Sequence, residues 1–375
     1  MSALRILIVA DHCFPASGTL TYLSRVLDVH RRNGIQTALL VEREAADPEF
    51  LARLEREGVP VYAERHRSAL FRKSYFSIFW DIASSWRAVR AFRPDLILVS
   101  SGNPYLHIGL FVYRAPVAYV VHSYPRLPFR RGTRLFLRIA RSKKNRILTV
   151  SRFAAARIHE YMGVPAEKIE VIYNSYREVP PPAAQRRRCV LTVGQVVDYK
   201  NPGVWLDVAE RVTRRDGEVE FVWVGDGPLL AAMRKEADAR GLSPRVRFDG
   251  ARADVSSLYA QAMVYVQPSR VENHALSVVE AMAHGLPCVT SNAGGLPESV
   301  LDGVTGFTVD PDDTDGFCHR IHSLLDDSVL RAAMGLAGRE RARQLFSPET
   351  QEARLLETYR SMCGSGGDAE AADAH

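Results

Sequence analysis

At 375 residues the chain is long enough for two domains, and its 46% hydrophobic and 25% charged residues are typical of a soluble globular protein. The net charge of +6 suits anionic ligands such as nucleotide diphosphates or acidic lipid surfaces, whereas no DNA- or RNA-recognition motif occurs, so nucleic acid is not an expected partner. No signal peptide is recognisable and no apolar run approaches the roughly 18–20 residues of a membrane span, so a membrane-spanning protein is not expected.

The first half of the chain alternates short apolar runs with amphipathic helical patterns. This alternation predicts a parallel sheet with helices on both faces. The longest helical pattern covers residues 69–92 and stops before Pro94. The predicted strands are residues 4–10, 36–41, 59–63, 95–100, 117–121, 147–151 and 169–173.

A proline-rich, basic segment, VPPPAAQRRR (179–188), interrupts this pattern and is interpreted as an interdomain linker. The alternation then restarts, with predicted strands at residues 189–194, 219–225, 246–250, 263–268, 286–291 and 306–310. The fold class is therefore α/β, with two Rossmann-like domains facing each other across a cleft. Ligands are expected in that cleft, beyond the carboxyl ends of the strands.

These patterns give five predicted segments. An N-terminal domain spans 1–178, the linker 179–188, and a C-terminal domain 189–345. A helix at 346–362 is expected to pack back toward the N-terminal domain, and the tail 363–375 lacks large apolar residues and is expected to be disordered.

The five cysteines are odd in number and scattered, at positions 13, 189, 288, 318 and 363. They suggest no disulfide framework and no zinc spacing, so we expect a reducing, cytoplasmic environment and no metal centre. The acidic run DPDDTD (310–315) looks like a D-x-D metal site, but it lies between a strand and a helix. We interpret it as helix-capping acids.

The stretch PSRVENHALSVVEAMAHG (268–285) is the most informative part of the sequence. It carries Glu272 and Glu280, eight positions apart, in a loop that leads into a helix. This arrangement can bind a nucleotide-sugar. The helix N-terminus can bind its diphosphate, Glu280 can accept hydrogen bonds from its ribose, and Glu272 can reach its sugar. The simpler interpretation is that Ser277 and Glu280 form a capping box and that Glu272 is a solvated loop acid.

Four further positions are candidates, and each has a simpler structural explanation. Lys200 lies at a predicted helix start, where it can pair with a phosphate or be solvated. Gly225, in VGDGP, and Gly18, in FPASGTL, allow the backbone to approach a ligand but are also common turn residues. His122 ends a strand and would face the ligand-binding cleft, but it can equally be a structural histidine.

The basic segment 126–146 has interleaved apolar residues. It is either a solvated helix face or a docking surface for an anionic acceptor or membrane headgroups. The aromatic stretch 71–86 invites the same two interpretations, with core packing favoured. Peripheral contact with the inner face of the membrane therefore remains open. Motifs for nucleotide hydrolysis, serine esterases and zinc proteases do not occur.

Taken together, these segments resemble the GT-B-fold retaining glycosyltransferases of family four, also called glycosyl transferases group 1. The resemblance rests on the Glu272–Glu280 pair, followed by AMAHGLPCV and AGGLPESVLDGVTGFTV (293–309). TVSRF (149–153), KIEVIYN (168–174), VGDGP and VRFDG occur in the family's order. The ordered set covers nearly the whole chain.

The resemblance implies that the domain at 1–178 binds the acceptor and that the domain at 189–345 binds the nucleotide-sugar donor. It also implies a role for each candidate. Glu272 would contact the donor sugar and face its anomeric carbon, with His122 near the reaction centre, and Lys200 would neutralise the leaving group. Glu280 would hold the ribose. The other implied donor-binding residues are Gly18, Gln195, Gly225, Gly250, Arg252, Asn273, His274, Ala275 and Leu276. The turn at Gly250–Arg252 would border the base.

The sequence departs from the family pattern at several positions. Gln195 stands where the family usually has arginine, five residues before Lys200, which removes a cation from the diphosphate site. The glycine-rich part of the Glu272 loop reads Asn273–His274–Ala275 here. The first-domain glycine pair is Ser17–Gly18, and Asn174–Ser175 replaces an asparagine-glycine pair.

The expected function is that of a metal-independent retaining hexosyltransferase without a cofactor. It would move a sugar from a nucleotide diphosphate sugar to an acceptor hydroxyl of a polysaccharide or glycolipid precursor or a small natural product. One alternative is a nucleotide-sugar epimerase or a phosphorylase on the same fold. The other is a non-catalytic, nucleotide-sugar-binding partner of another transferase, which the substitution at Gln195 motivates.

Overall fold

The computed structural model describes residues 3–10, 13, 18–42, 46–64, 75–100, 115–125, 142, 144–177, 186–252 and 254–364. Three stretches lie outside these described residues. They are most of the basic segment 126–146, residues 178–185 at the start of the predicted linker, and the tail from 365. The same is true of the start of the predicted helix 69–92. Contacts divide the chain into two compact units, which are residues 1–172 with 352–375 (unit 1) and residues 173–351 (unit 2).

Unit 1 contains a parallel sheet that has seven strands in the described part of the chain, in the order β3-β2-β1-β4-β5-β6-β7. The central strands are continuous apolar runs with almost no exposed residue, as expected where helices cover both faces. The prediction of these strands is confirmed. Their bounds are β1 Arg5–Ala10, β2 Gln36–Glu42, β3 Val61–Glu64, β4 Leu96–Ser100, β5 Val117–Val121, β6 Arg146–Thr149 and β7 Ile169–Val171.

Two helices of unit 1 begin at conventional capping residues. Asp47 accepts a hydrogen bond from the Glu49 amide and precedes a proline at the first position of the helix Pro48–Arg56. Ser151 caps the helix Arg152–Met162, which ends at Gly163 in the left-handed conformation with φ of 66°. The helices are Gly18–Arg32, Pro48–Arg56, Tyr75–Phe92, Arg152–Met162 and, from the end of the chain, Pro348–Gly364.

Unit 2 contains a second parallel sheet, six-stranded among the described residues, in the order β10-β9-β8-β11-β12-β13. The predicted strands are again confirmed, as β8 Cys189–Val193, β9 Glu220–Val224, β10 Val246–Gly250, β11 Val264–Gln267, β12 Cys288–Ser291 and β13 Gly306–Val309. The helices are Pro202–Arg215, Leu230–Ala239, Ser256–Gln261, Leu276–Ala283, Leu296–Ser299, Thr314–Asp326 and Ser328–Leu345. Both units thus have the predicted Rossmann-like architecture.

The core of unit 2 contains a cluster of large aromatic rings on one face of the sheet. Trp205 packs edge-on against Phe221 and Trp223, with ring centroids 5.6 and 5.3 Å away. Both indole rings are fully buried, and Trp205 donates its Nε1 hydrogen to Thr192, so the polar end of the ring is satisfied. This cluster anchors β8 and β9, the two strands whose carboxyl ends lead into the candidate site.

The acidic run between β13 and the following helix is a capping segment, as predicted. Asp313 accepts a hydrogen bond from the Gly316 amide at 2.8 Å, and Asp310 accepts one from the Asp312 amide. Across the described ranges, no group of three or more metal-ligating side chains is present. In the same ranges, no helix combines the length and the apolarity needed to cross a bilayer.

The predicted linker differs from the structure at its end, because residues 186–188 are held within unit 2. The Arg186 guanidinium donates to the Ala262 and His284 carbonyls, each at 2.8 Å. These carbonyls belong to the C-cap residues of the helices Ser256–Gln261 and Leu276–Ala283. Arg188 forms ion pairs with Asp216 and Asp326. The run of arginines is therefore structural, although by sequence it resembles a solvated linker. The second unit also begins earlier, at Tyr173.

The helix Pro348–Gly364 contributes to the core of unit 1 through Leu355, Tyr359 and Met362. Tyr359 also hydrogen-bonds to the buried imidazole of His30, with 3.2 Å between the phenol oxygen and Nε2. Burial lowers the pKa of His30 to about 3, so the ring stays neutral. Although this helix comes last in the chain, its residues from Glu352 onward belong to unit 1.

We predict that Leu355→Ala destabilises unit 1, because Leu355 is only 1% exposed and its truncation leaves a cavity in the core. The expected loss is about 2–5 kcal/mol in the free energy of unfolding. Urea unfolding of the full chain measures it. Arg360→Ala, an exposed position on the same helix, is the matched control and should change little. Equal midpoints for the two variants would contradict the assignment of this helix to unit 1.

Candidate functional site

The candidate site lies where the strand order of unit 2 reverses. Strands β8 and β11 are paired neighbours in the sheet, yet the chain leaves β8 toward one edge and β11 toward the other. Loops that leave such a pair diverge and open a crevice at the carboxyl ends of the strands. Lys200 follows β8 and Glu272 follows β11, so the topology brings them together.

Lys200 and Glu272 form an ion pair. The distance between Nζ and Oε1 is 2.7 Å, and the two side chains are only 11% and 12% exposed. Lys200 ends the short 3-10 turn Asp198–Lys200, and Asn201 then adopts the left-handed conformation before the helix that begins at Pro202. The structure therefore places two predicted catalytic residues in direct contact. Their catalytic roles remain predictions.

The environment keeps the Lys200 ammonium charged. Burial acts to lower its pKa, but the negative charge of Glu272, the phenol oxygen of Tyr199 and the hydrogen bond to Glu272 outweigh burial and raise it. Only one of the three ammonium hydrogens is used by Glu272. No other hydrogen bond of this ammonium occurs within the described part of the chain, so it has donors for an anionic ligand.

Gly194, at the end of β8, makes room for the lysine side chain. A Cβ atom at this position would lie 3.0 Å from both Cε and Nζ of Lys200. The backbone of Gly194 has φ of +147°, which L-amino acids rarely adopt. A glycine here therefore leaves room for the end of the Lys200 side chain beside the strand.

Every hydrogen bond that the described residues donate to the Glu272 carboxylate ends on one oxygen. Lys200 and Gln267 each donate to Oε1 at 2.7 Å, and Ser269 donates to the same atom at 3.2 Å. Among the described residues, none donates to Oε2. The carboxylate is thus fixed through one oxygen while the other is left for a ligand.

The backbone of Glu272 is fixed by the loop that follows β12. The Gly295 amide donates to the Glu272 carbonyl at 2.8 Å. Gly294 packs so closely that a Cβ atom would lie 2.2 Å from that carbonyl oxygen, and its φ of +63° is in the left-handed region. The side chain and the backbone of Glu272 are therefore held independently.

Glu280 lies on the second turn of the helix Leu276–Ala283, where the Tyr259 hydroxyl donates to its Oε2 at 3.4 Å. The capping-box interpretation of Ser277 and Glu280 is wrong. The N-cap residue is Ala275, no side chain caps the helix, and the Ser277 hydroxyl donates to Gln267 at 3.0 Å instead. The backbone amides of the first turn, beginning at Leu276, are thus not capped by a side chain and suit an anion.

The remaining residues of this loop differ in their surroundings. Asn273 is half-buried, whereas His274 is 6% exposed and packs between the rings of Tyr173 and Phe346, with centroids 5.1 and 5.0 Å away. Neither ring nitrogen of His274 has a hydrogen-bond partner among the described residues. Burial lowers its pKa to about 3, so this histidine behaves as a neutral, apolar ring.

Two predicted glycines line the adjoining backbone. The Gly225 amide donates to the Gly250 carbonyl at 2.8 Å, and a Cβ atom at Gly225 would lie 2.0 Å from the carbonyl oxygen of Gly194. Gln195 is exposed next to Gly194. Arg252 is also exposed, and its guanidinium lies 3.2 Å from Asp249. The ends of β8, β9 and β10 are therefore packed backbone against backbone, as a close approach to a ligand requires.

The last two predicted residues belong to unit 1. His122 follows β5, and its Nε2 atom lies 2.9 Å from the Ser100 hydroxyl at the end of β4. The Tyr22 ring packs edge-on against the imidazole at 4.7 Å between centroids. Gly18 opens the helix Gly18–Arg32. His122 thus follows the carboxyl end of a strand and Gly18 begins a helix, as predicted, and their roles at a donor remain predictions.

The polar residues that hold Glu272 are not among the site residues predicted from the sequence. Gln267 and Ser269 stand at the end of β11 and just after it, in the sequence MVYVQPS (263–269). A glutamine that terminates an apolar strand two residues before a serine was the available signal. It has little weight without knowledge of the partner across the loop.

Comparison with known proteins gives a consistent result. Two protein-family models match, "Glycosyltransferase Family 4" over residues 16–176 and "Glycosyl transferases group 1" over residues 178–341. A GDP-mannose-dependent alpha-(1-6)-phosphatidylinositol monomannoside mannosyltransferase of Mycolicibacterium smegmatis is 31% identical over 229 residues, which are 56% of this chain and 60% of that protein. The alpha-D-kanosaminyltransferase of Streptomyces kanamyceticus is 33% identical over 150 residues, 40% of this chain and 39% of that protein. The chain thus spans 60% or less of these two curated relatives.

Solved structures extend the likeness over the whole chain. A glycosyltransferase from Rickettsia africae superimposes with a TM-score of 0.82 and 16% identity, covering 96% of this chain and 99% of that chain. Anabaena HepE in complex with UDP-glucose gives a TM-score of 0.76 and 22% identity, covering 96% and 100%. At this identity the likeness establishes the GT-B fold, and it confirms the fold class predicted from sequence.

We predict that His274→Phe stabilises unit 2 and weakens its acid sensitivity. The folded-state pKa of about 3 lies below the ordinary value of 6.5, so only the unfolded chain binds a proton between these values. Stability is therefore lost as pH falls from 6.5 toward 3, by about 1.4 kcal/mol per pH unit. Phenylalanine keeps the ring and removes this loss.

Urea unfolding at pH 7.5, 6.5 and 5.5 tests this prediction. Wild type should lose stability over this range more steeply than His274→Phe, and the exposed control His319→Gln should follow wild type. A variant with the same dependence on pH as wild type would show that the His274 imidazole is not held neutral.

Proposed function

Because the chain belongs to the group 1 glycosyltransferases, we propose that it transfers a sugar from a nucleotide diphosphate sugar to a hydroxyl group of an acceptor. The observation that carries this proposal is the Lys200–Glu272 pair, which lies at the strand-order reversal of unit 2. The ammonium has unused donors for a diphosphate, and the carboxylate has an oxygen without a described partner for the sugar.

In the proposed mechanism the charges that develop during transfer meet fixed opposite charges. Glu272 faces the positive charge that grows at the anomeric carbon, and Lys200 faces the negative charge on the departing diphosphate. The uncapped amides at the start of the helix Leu276–Ala283 add a partial positive charge beside the phosphates. Preorganised charges of this kind stabilise a transition state without further rearrangement.

We further propose that the reaction retains the anomeric configuration by a front-face path, in which the departing phosphate helps to deprotonate the acceptor hydroxyl. In unit 2 the Lys200–Glu272 pair supports this path, because Glu272 is tied to Lys200, Gln267 and Ser269 through Oε1 and acts as an electrostatic partner. The proposed acceptor is a polysaccharide or glycolipid precursor or a small natural product, and the similarity to a phosphatidylinositol monomannoside mannosyltransferase supports the glycolipid class. His122 and Gly18 of unit 1 would complete the donor and acceptor contacts.

We predict that Glu272→Gln reduces transfer by about 10²–10³-fold while the fold persists, because the amide keeps an acceptor for Lys200 but loses the negative charge. The assay is mass-spectrometric detection of product from a panel of nucleotide sugars and acceptors. The anomeric configuration of the product, read by NMR, is expected to match that of the donor.

The matched control for this experiment is Glu218→Gln, which removes an exposed carboxylate of unit 2 and should not alter transfer. Undiminished transfer by Glu272→Gln would refute the role given to Glu272. Conversion of donor without acceptor by wild type would instead indicate an epimerase. Calorimetric binding of a nucleoside diphosphate without transfer to any acceptor would indicate a non-catalytic binding partner.

We also propose that no metal ion is needed, since Lys200 and the helix N-terminus neutralise the leaving group. Transfer by wild type should therefore be the same before and after dialysis against EDTA. Lys200→Met, which removes the ammonium at nearly constant volume, should lower transfer in both buffers, and added Mg²⁺ should not restore it. Loss of wild-type activity on chelation, regained with Mg²⁺ or Mn²⁺, would overturn this proposal.

A further inference from the structure

Gln267 is a buried polar residue beside the proposed catalytic pair. It ends β11, is 1% exposed, and makes four hydrogen bonds with its side-chain amide. The nitrogen Nε2 donates to Glu272 Oε1 at 2.7 Å and to the Ser269 hydroxyl at 3.2 Å. The oxygen Oε1 accepts from the Tyr265 hydroxyl at 2.8 Å and from the Ser277 hydroxyl at 3.0 Å.

The partners of Gln267 fix which way its amide points. Burial raises the pKa of the Tyr265 phenol above its ordinary value, so this group stays protonated and able to donate. If the amide were reversed, its oxygen would face the carboxylate of Glu272, which has no hydrogen to donate. Because buried polar groups are costly to leave unsatisfied, the orientation seen in the structure is strongly favoured.

Lys200 alone is a poor anchor for Glu272 in the proposed reaction, because the ammonium must also serve the departing diphosphate. When the ammonium shifts toward phosphate, the carboxylate loses part of its strongest contact. The bond from Gln267 to Glu272 does not compete with the leaving group in this way. On its other side, Gln267 is bonded to Ser277, at the start of the helix where the diphosphate is expected.

We propose that Gln267 is a positioning residue, which holds the Glu272 carboxylate by Oε1 and directs Oε2 to the donor sugar. This proposal rests on the function proposed above for Glu272. The amide links three parts of the site, since Tyr265 fixes it to the sheet, Ser277 ties it to the helix start and Glu272 receives its hydrogen. Loss of the amide would let the carboxylate rotate at the moment of reaction.

The first test replaces the amide with an apolar side chain of the same length, in Gln267→Met. Loss of a hydrogen bond to a charged group in a buried site predicts a kcat about ten- to hundredfold lower than that of wild type. The KM for the donor should stay unchanged, because the diphosphate contacts remain. Gln344→Met, at an exposed helical position, is the control and should leave both constants unchanged.

The second test, Gln267→Glu, asks whether a hydrogen on this side chain is what matters. A protonated carboxyl group can donate to Glu272 Oε1, whereas an ionised one cannot and also repels it. The ratio of variant to wild-type kcat should therefore rise as pH falls. The other groups that face this pair, Lys200 and Ser269 on Glu272 and Tyr265 and Ser277 on the amide, are present in both proteins.

The outcomes separate this proposal from the proposed function. If wild type transfers sugar and Glu272→Gln does not, the function holds. A Gln267→Met variant with wild-type kcat, whether its KM is unchanged or raised, then overturns the positioning role alone. If Gln267→Met fails to fold by circular dichroism, the pH dependence of Gln267→Glu decides, and a constant ratio to wild type overturns the proposal.

Discussion

The buried ion pair between Lys200 and Glu272 is the interaction on which the candidate site depends. Removing both charges from water costs several kcal/mol per ion, and their attraction repays this only with good geometry and further hydrogen bonds. The structure supplies these further bonds, since Gln267 and Ser269 also donate to the carboxylate. Apolar residues can often replace a buried pair at little loss of stability, so the position of this pair at a strand-order reversal supports the function proposed for it.

Close packing of the backbone makes this pair geometrically possible. Lys200 and Glu272 are 72 positions apart, and they meet because β8 and β11 are adjacent strands. Glycines at three points remove side chains that would separate the loops. Gly194 underlies the lysine, Gly225 packs on Gly194, and Gly294 packs on the backbone of Glu272. The same ends of the strands that bring the charges together therefore have little tolerance for a Cβ atom.

Much of the fold could be predicted from the sequence, because buried parallel strands leave a strong local signal. RILIVA and EFVWV are apolar runs of strand length between helical patterns, and both are strands in the structure. The site was only partly predictable. Gln267 looks like the end of a strand until its partner across the loop is known, and Ser277 fits a capping box although its hydroxyl bonds Gln267. Arg186 was assigned to a linker because its carbonyl partners are distant in sequence.

The absence of arginine at position 195 alters the charge balance of the site. Before a donor binds, Lys200 and Glu272 nearly cancel, and Gln195 adds no charge. These three side chains therefore offer an incoming diphosphate little net positive charge, and in the proposed function the uncapped amides near Leu276 and the unused hydrogens of Lys200 bind it. Under these conditions a second cation on Glu272 would weaken the carboxylate's field at the sugar. A neutral amide from Gln267 holds the carboxylate in place and leaves its charge intact.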